Sequence, residues 1–284
     1  QNTSTPCLSI LIVADAKVVS KICDIISIDP TMYCYVKEVL TSIARSPNQL
    51  AVDRSNNVLY FSFDFRQGEY IPAMINLTTK KISVLKGVKD AFAMTYDPAS
   101  GDMYFGGSHG IYKYSPDKKS LKKLNIYYLD IWWLFFKRSI YFIKFPSLNG
   151  YCYENRTMKQ IEALTNFSVH QFVLDMEDDI FFINGTGLYG IKNNSDKPVL
   201  LRDTPKFLGI AVDNNGIVYV SGEEGIFIVS KMVQKVKRIV RIQGVLSLTF
   251  DGANNIIYSD SHQIVRLVPI GFNDTSHWVE QNKV

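Results

Sequence analysis

The chain has 284 residues, 46% of them apolar and 20% charged, and its 31 Lys and Arg against 27 Asp and Glu give a net charge of +4. This is the profile of an ordinary folded protein, and basic residues spread along the chain exclude a polyanion-binding tail, so no nucleic-acid partner is expected. The most apolar stretch, residues 126–145, is interrupted by Asp130, Lys137, Arg138 and Lys144. A bilayer span needs about 20 nearly uncharged residues, so no membrane association is expected either.

In chain order, the first feature is an opening at Gln1 without a methionine, as a mature chain has after removal of a signal peptide. Cys7, Cys23 and Cys34 crowd the N-terminal segment and Cys152 lies far downstream, spacings that match no zinc pattern. Disulfides are the expectation. If all four cysteines pair, one bridge must reach Cys152 and staple the N-terminal segment to the body of the fold. Asparagine acceptor patterns at Asn2, Asn76, Asn155, Asn166, Asn184, Asn193 and Asn273 also fit a secreted, extracellular glycoprotein. Residues 1–32 are therefore read as a disulfide-tethered extension.

A strand-like run from Tyr33 to Ile43 precedes six similar segments. They are LAVDRSNNVLYFS from Leu50, MTYDPASGDMYFGG from Met94, LFFKRSIYFI from Leu134, FVLDMEDDIFFIN from Phe172, IAVDNNGIVYVS from Ile210 and LTFDGANNIIYSD from Leu248. In each, a mostly apolar triplet leads to Asp, then usually to a turn rich in Asn, Asp and Gly, then to an apolar run with Tyr or Phe. The positions Asp53, Asp97, Lys137, Asp175, Asp213 and Asp251 lie 44, 40, 38, 38 and 38 residues apart. Each copy reads as a β-hairpin, and a second hairpin follows in most copies, giving four strands per repeat. Units of four strands at a period near 40 residues form propeller blades. The expectation is an all-β, six-bladed β-propeller of four-stranded blades over residues 33–270, followed by a tail, 271–284. Copy six shows only three clear strands before about Val268, so the N-terminal strand is expected to complete it and close the ring. The repeated aspartates read as turn residues that bond the backbone of their own hairpins.

Propellers bind ligands at the face formed by the loops entering each innermost strand and those joining the second strand to the third. Here the residues five and four places before the repeat position are Asn48 and Gln49, Phe92 and Ala93, Trp132 and Trp133, His170 and Gln171, Leu208 and Gly209, and Leu246 and Ser247. This ring carries no carboxylate. Six-bladed lactonases gather a Glu, an Asp and Asn side chains around a divalent cation at that place, because hard cations need oxygen ligands. Instead Phe92, Trp132, His170 and Phe207, with Gln49 and Gln171 and with Arg66, His109 and Lys144 from longer loops, are expected to face a flat conjugated ligand. Trp132 and Trp133 are neighbours on one strand and must point to opposite sides of it, so one is a wall candidate and the other a core candidate. No catalytic residue, metal ligand or phosphate-binding glycine loop is found.

The run from LAVDRSNNVLYFS through MTYDPASGDMYFGGSHGIYKYSPDKK, the third-copy WWLFFK with FPS, DDIFFINGTGLY, and the closing LTFDGANNIIYSDSHQIVRL together resemble the ommochrome-binding proteins of moth and butterfly haemolymph. The likeness covers roughly residues 34–268. It implies a secreted haemolymph carrier that binds an ommochrome, a tryptophan-derived phenoxazinone such as xanthommatin, non-covalently. The partner is then a small aromatic pigment, no cofactor or reaction is required, and a monomer suffices. A protein- or peptide-binding propeller and a hydrolase of the lactonase or arylesterase type are the alternatives.

Overall fold

The computed structural model describes residues 20–25, 32–42, 49–66, 68–126, 129–231 and 235–270. They form six antiparallel sheets and a single 3-10 turn, Glu162–Leu164. Blades one to five are four-stranded and occupy residues 50–84, 91–123, 130–160, 171–202 and 207–240. Their innermost strands touch in a closed ring that includes the first strand of blade six, Ser247–Phe250. The expected six-bladed propeller is present. No helix among the described residues is long and apolar enough to cross a membrane.

Closure is made by strand exchange. Met32–Ser42 pairs antiparallel with Gln263–Pro269, the last strand of blade six, as the incomplete sixth copy requires. A strand from within the extension, Ser20–Ile25, then adds to the outside of Met32–Ser42, so this blade has five strands. Cys23 and Cys34 stand directly opposite each other on these two strands and are joined by a disulfide. Cys152 is not bonded to either; it is a half-buried thiol on the third strand of blade three, and burial pushes its pKa up. The expected bridge to Cys152 is not found among the described residues; Cys7 lies outside them, with Asn2, Asn273 and the tail 271–284.

Side chains fasten the closing strand. Glu38 pairs in register with Arg266, which donates through Nε to Glu38 Oε2 at 2.7 Å. Lys80, on the turn between the third and fourth strands of blade one, reaches the other carboxylate oxygen at 2.6 Å. One carboxylate thus links the closing strand to blades six and one.

The repeat aspartates behave as turn residues. Asp53, Asp97, Asp175, Asp213 and Asp251 are all buried. Each carboxylate accepts two backbone N–H bonds from its own turn, for example from Asn215 at 2.9 Å and Ile217 at 2.8 Å on Asp213. A buried carboxylate is tolerated because such bonds replace its lost hydration. Lys137, the one substitution in the series, serves the neighbouring turn instead: its ammonium donates to the Asp175 carbonyl and pairs with Asp178 at 2.6 Å.

The partners of Glu38 hold its carboxyl below the ordinary value of 4.5 even though burial alone would raise it. A depressed carboxylate stabilises the fold fully above its unfolded pKa, and that contribution is lost as pH falls through the folded value. Glu38→Gln is therefore expected to cost about 1 kcal/mol at pH 7, with the gap to the parent closing below about pH 4. Urea unfolding of both chains across that range measures it; a gap that persists in acid would remove the lock.

Candidate functional site

The two ends of the propeller are built differently. At one end lie the tight turns between first and second strands, five of them held by their own aspartates, with Lys137 of blade three bonded to the turn of blade four. At the other end lie the loops entering the first strands and the connections from second to third strands. Here the inner strands are irregular. The pairing of first to second strand shifts register across Phe92 in blade two, Trp132 in blade three and Leu208 in blade five. A bulge adds one unpaired residue and re-aims its side chain.

The consequence is clearest at the tryptophan pair. Trp133 is 5% exposed and donates its indole N–H to the Phe172 carbonyl at 2.8 Å, tying blade three to blade four. Trp132, on the bulge, is 42% exposed. It is the third ring in a continuous ladder: Tyr70 meets Phe92 edge-on at 5.5 Å, Phe92 meets Trp132 edge-on at 6.0 Å, and Phe145 stacks on Trp132 at 5.8 Å with 28° between the planes. Tyr70 opens the third strand of blade one and Phe145 closes the second strand of blade three, so both flank the connections of this same end. Phe145 is 45% exposed. Soluble proteins seldom leave adjacent large rings in water unless the patch binds something.

The other expected residues fall in different places. His170 enters blade four at the same end, half-buried; burial lowers its imidazole pKa and the Lys206 ammonium lowers it further, so it is a neutral hydrogen-bonding group near pH 7. Lys144 is next to Phe145 at the end of the same strand. Phe207 is not on the face: it is 4% exposed, packed edge-on against Phe227 at 5.7 Å inside the core. It precedes the bulge at Leu208, so the side chain that the bulge turns outward is Leu208 and Phe207 remains in the core.

Gln49 and Gln171 are committed to the scaffold. The Gln49 amide donates to the Leu134 carbonyl at 2.6 Å and accepts from the N–H groups of Met94 and Leu134 at 3.1 and 3.2 Å. Gln171 does the same on blade five, donating to the Leu208 carbonyl at 2.9 Å and accepting from Ile210 N–H at 3.1 Å. Each fills the exposed backbone edge of inner strands in neighbouring blades, so its polar atoms are already satisfied. The side chain of Arg66 lies outside the described residues. Tyr70 and Phe145 are the site residues that the repeat alignment misses, because the alignment follows the innermost strands and both residues sit on outer ones.

An axial cavity of about 290 Å³ opens at the opposite, turn-bearing end, lined by Tyr96, Phe135, Lys137, Met176, Asp213 and Asn214 among others. Asp175, Asp213 and Lys137 in its lining are engaged in the scaffold, and Arg54 also lines it, its guanidinium pKa lowered by burial. Among the described residues no group of three or more His, Cys, Asp or Glu side chains is placed to hold a metal ion. The inner positions of the ladder end carry aromatic, aliphatic and amide groups, and this donor set does not fit a calcium site of six to eight oxygen ligands.

No family model matches the chain. The ommochrome-binding protein of Manduca sexta is 29% identical over 243 residues, covering 83% of this chain and 88% of that protein. The chain is similar to it along nearly its whole length. The resemblance read from the sequence is borne out by this relative. Among solved structures, a gluconolactonase from Xanthomonas campestris superposes with a TM-score of 0.66 at 13% identity over 83% of this chain and 90% of the other. The calcium-binding protein regucalcin from Agrobacterium tumefaciens superposes with a TM-score of 0.63 at 9% identity over 82% of this chain and 95% of the other. At such identities these two share the fold alone.

The contrast between neighbouring tryptophans is directly measurable. Trp133→Ala is expected to cost about 3–5 kcal/mol, since it removes a large buried ring and orphans a carbonyl, whereas Trp132→Ala is expected to stay within about 1 kcal/mol of the parent. Urea unfolding of the two variants distinguishes them; equal losses would place Trp132 in the core.

Proposed function

We propose that the protein is a secreted, non-catalytic carrier that binds an ommochrome such as xanthommatin on the ladder face, as a monomer and without a cofactor. The observation that carries this reading is the run of half-buried Tyr70 and Phe92 with exposed Trp132 and Phe145, which offers stacking surface to a planar conjugated molecule. Offset and edge-on ring contacts each contribute about 0.5–1.5 kcal/mol beyond the area they bury, so several acting together bind a flat ligand well. His170 and Lys144 supply polar neighbours to orient it. The similarity to a protein named for ommochrome binding supports the same ligand class. The Cys23–Cys34 bridge is compatible with an oxidising, extracellular setting.

A lactone hydrolase is the reading that the gluconolactonase neighbours favour. Against it stands the donor set of the face, in which carboxylates do not converge. A protein or peptide partner seated on the same rings is the other competitor.

Titration of the purified protein with oxidised and reduced xanthommatin, followed by absorbance and tryptophan fluorescence with and without a calcium chelator, tests the carrier reading, and a parallel lactone-hydrolysis assay tests the hydrolase. Saturable one-to-one binding that ignores the chelator is expected. Trp132→Ala should weaken it by about 1–3 kcal/mol while leaving the fold intact. Absence of binding, or hydrolysis of lactones that the chelator abolishes, would overturn the carrier reading.

A further inference from the structure

The ladder ends, at its Tyr70 and Phe92 side, beside a polar cluster that the carrier reading does not use. Asp90 lies two residues before Phe92, on the loop entering blade two, and is half-buried. Its carboxylate accepts the Ser108 hydroxyl, and the backbone N–H of Tyr70 approaches its other oxygen at 3.5 Å. His109 Nδ1 stands 2.9 Å from the same Ser108 oxygen. Because the serine proton is given to Asp90, the imidazole Nδ1 must donate to the serine oxygen; the hydroxyl is thus held from both sides and keeps the carboxylate oriented. Ser108 and His109 form the exposed connection between the second and third strands of blade two, so the cluster opens on the same end of the propeller as the rings.

Asp90 forms no ion pair among the described residues. Carboxylates elsewhere in this fold follow two patterns: Glu38, Asp102 and Asp178 have a cation, whereas half-buried Asp260, like Asp90, is held by hydrogen bonds alone. An oriented carboxylate without a cation, hydrogen-bonded at the Tyr70 and Phe92 end of the ladder, presents negative potential from its charge, and the face of an aromatic ring there adds to it through its quadrupole. That combination selects a cation attached to something flat.

We propose that the ladder face takes ligands whose aromatic body carries an ammonium group, with Asp90 anchoring the ammonium while Phe92 and Trp132 stack the body. Ser108 and His109 are positioning residues that hold the carboxylate. The inference rests on the reading of this face as an aromatic-ligand site, and it names the substituent that the site recognises.

Calorimetry with tryptamine and N-acetyltryptamine, which share a ring system and differ in the ammonium, reads the anchor separately from the carrier function. Tryptamine is expected to bind tighter by on the order of tenfold, and Asp90→Asn is expected to erase that preference while leaving N-acetyltryptamine unchanged. Asparagine accepts the left-handed backbone of this position, φ 46°, and can still receive the Ser108 hydroxyl, so the variant keeps the local fold. Ser108→Ala should reduce the preference in part. Asp130→Asn, which removes an exposed carboxylate elsewhere at the same end, should not. Equal affinity for the two probes, a preference that survives in Asp90→Asn, or an equal loss in Asp130→Asn overturns the anchor. Xanthommatin binding without any tryptamine binding overturns the anchor and leaves the carrier; Asp90-dependent tryptamine binding without xanthommatin binding keeps the anchor and removes the carrier. If neither ligand binds, both fall.

Discussion

A ring of sheets has no free ends only if its last blade is completed from the other end of the chain, and here that depends on the pairing of Met32–Ser42 with Gln263–Pro269. Every position on either face is measured from that closure. Were it open, blade six would end after its third strand, Gln263–Pro269, on an unpaired edge, and the ring would no longer be fastened by the other end of the chain. The chain reinforces the joint three times: the register of Glu38 on Arg266, the reach of Lys80 from blade one, and the disulfide that fixes a further strand outside it. Long-range strand pairing closes a large loop and is entropically expensive, so concentrated polar and covalent support at this one seam is where it has the greatest effect.

With the ring closed, the ends of the propeller divide the labour. The turn end is uniform in every blade but the third, because a buried aspartate that satisfies two backbone N–H groups is a local solution that can be repeated. The acidic turn of blade four shows how far this goes: Lys231 lies 2.7 Å from each of Asp175, Glu177 and Asp179, and burial opposes its charge yet the three carboxylates still drive its pKa up. The loop end is not uniform. Bulges at Phe92, Trp132 and Leu208 loosen the ladder where the inner strands begin, and the glutamine amides of Gln49 and Gln171 patch the strand edges in between. Variation is cheap there because it does not disturb the hairpin turns.

The same division explains what could be read from the chain. Period, strand count, the structural role of the aspartates and the completion of blade six are carried by local patterns that recur, so repetition averages out the ambiguity of any single copy. The site depends on departures from the pattern. Trp132 and Trp133 were separable because alternation along a strand is a local rule. Phe207, expected on the ligand face, lies in the core, since a one-residue register shift at Leu208 decides which neighbour turns outward and no repeat reveals it. Gln49 and Gln171 had the right chemistry for a ligand and are in hydrogen-bond reach of backbone edges that only the assembled ring brings together. Tyr70 and Phe145 join the ladder from outer strands, through contacts between blades that sequence distance conceals.

The shared fold with gluconolactonases then becomes informative by difference. Six equivalent positions surround the axis at the loop end, and a fold of this kind offers them to whatever chemistry the sequence writes there. Oxygen donors at those positions would converge on a cation, since each blade aims one side chain inward. In this chain the described positions hold Phe92, Trp132, His170, Leu208 and Leu246, and the carboxylates at this end, such as Asp90, stand one step outside the ring. Convergent apolar and aromatic groups do not polarise a bond or activate water, but they desolvate and stack. Under the proposed carrier reading the face would work by recognition, and any charge selectivity would come from groups at the margin of the ladder, where a carboxylate can meet a substituent while the rings hold the plane.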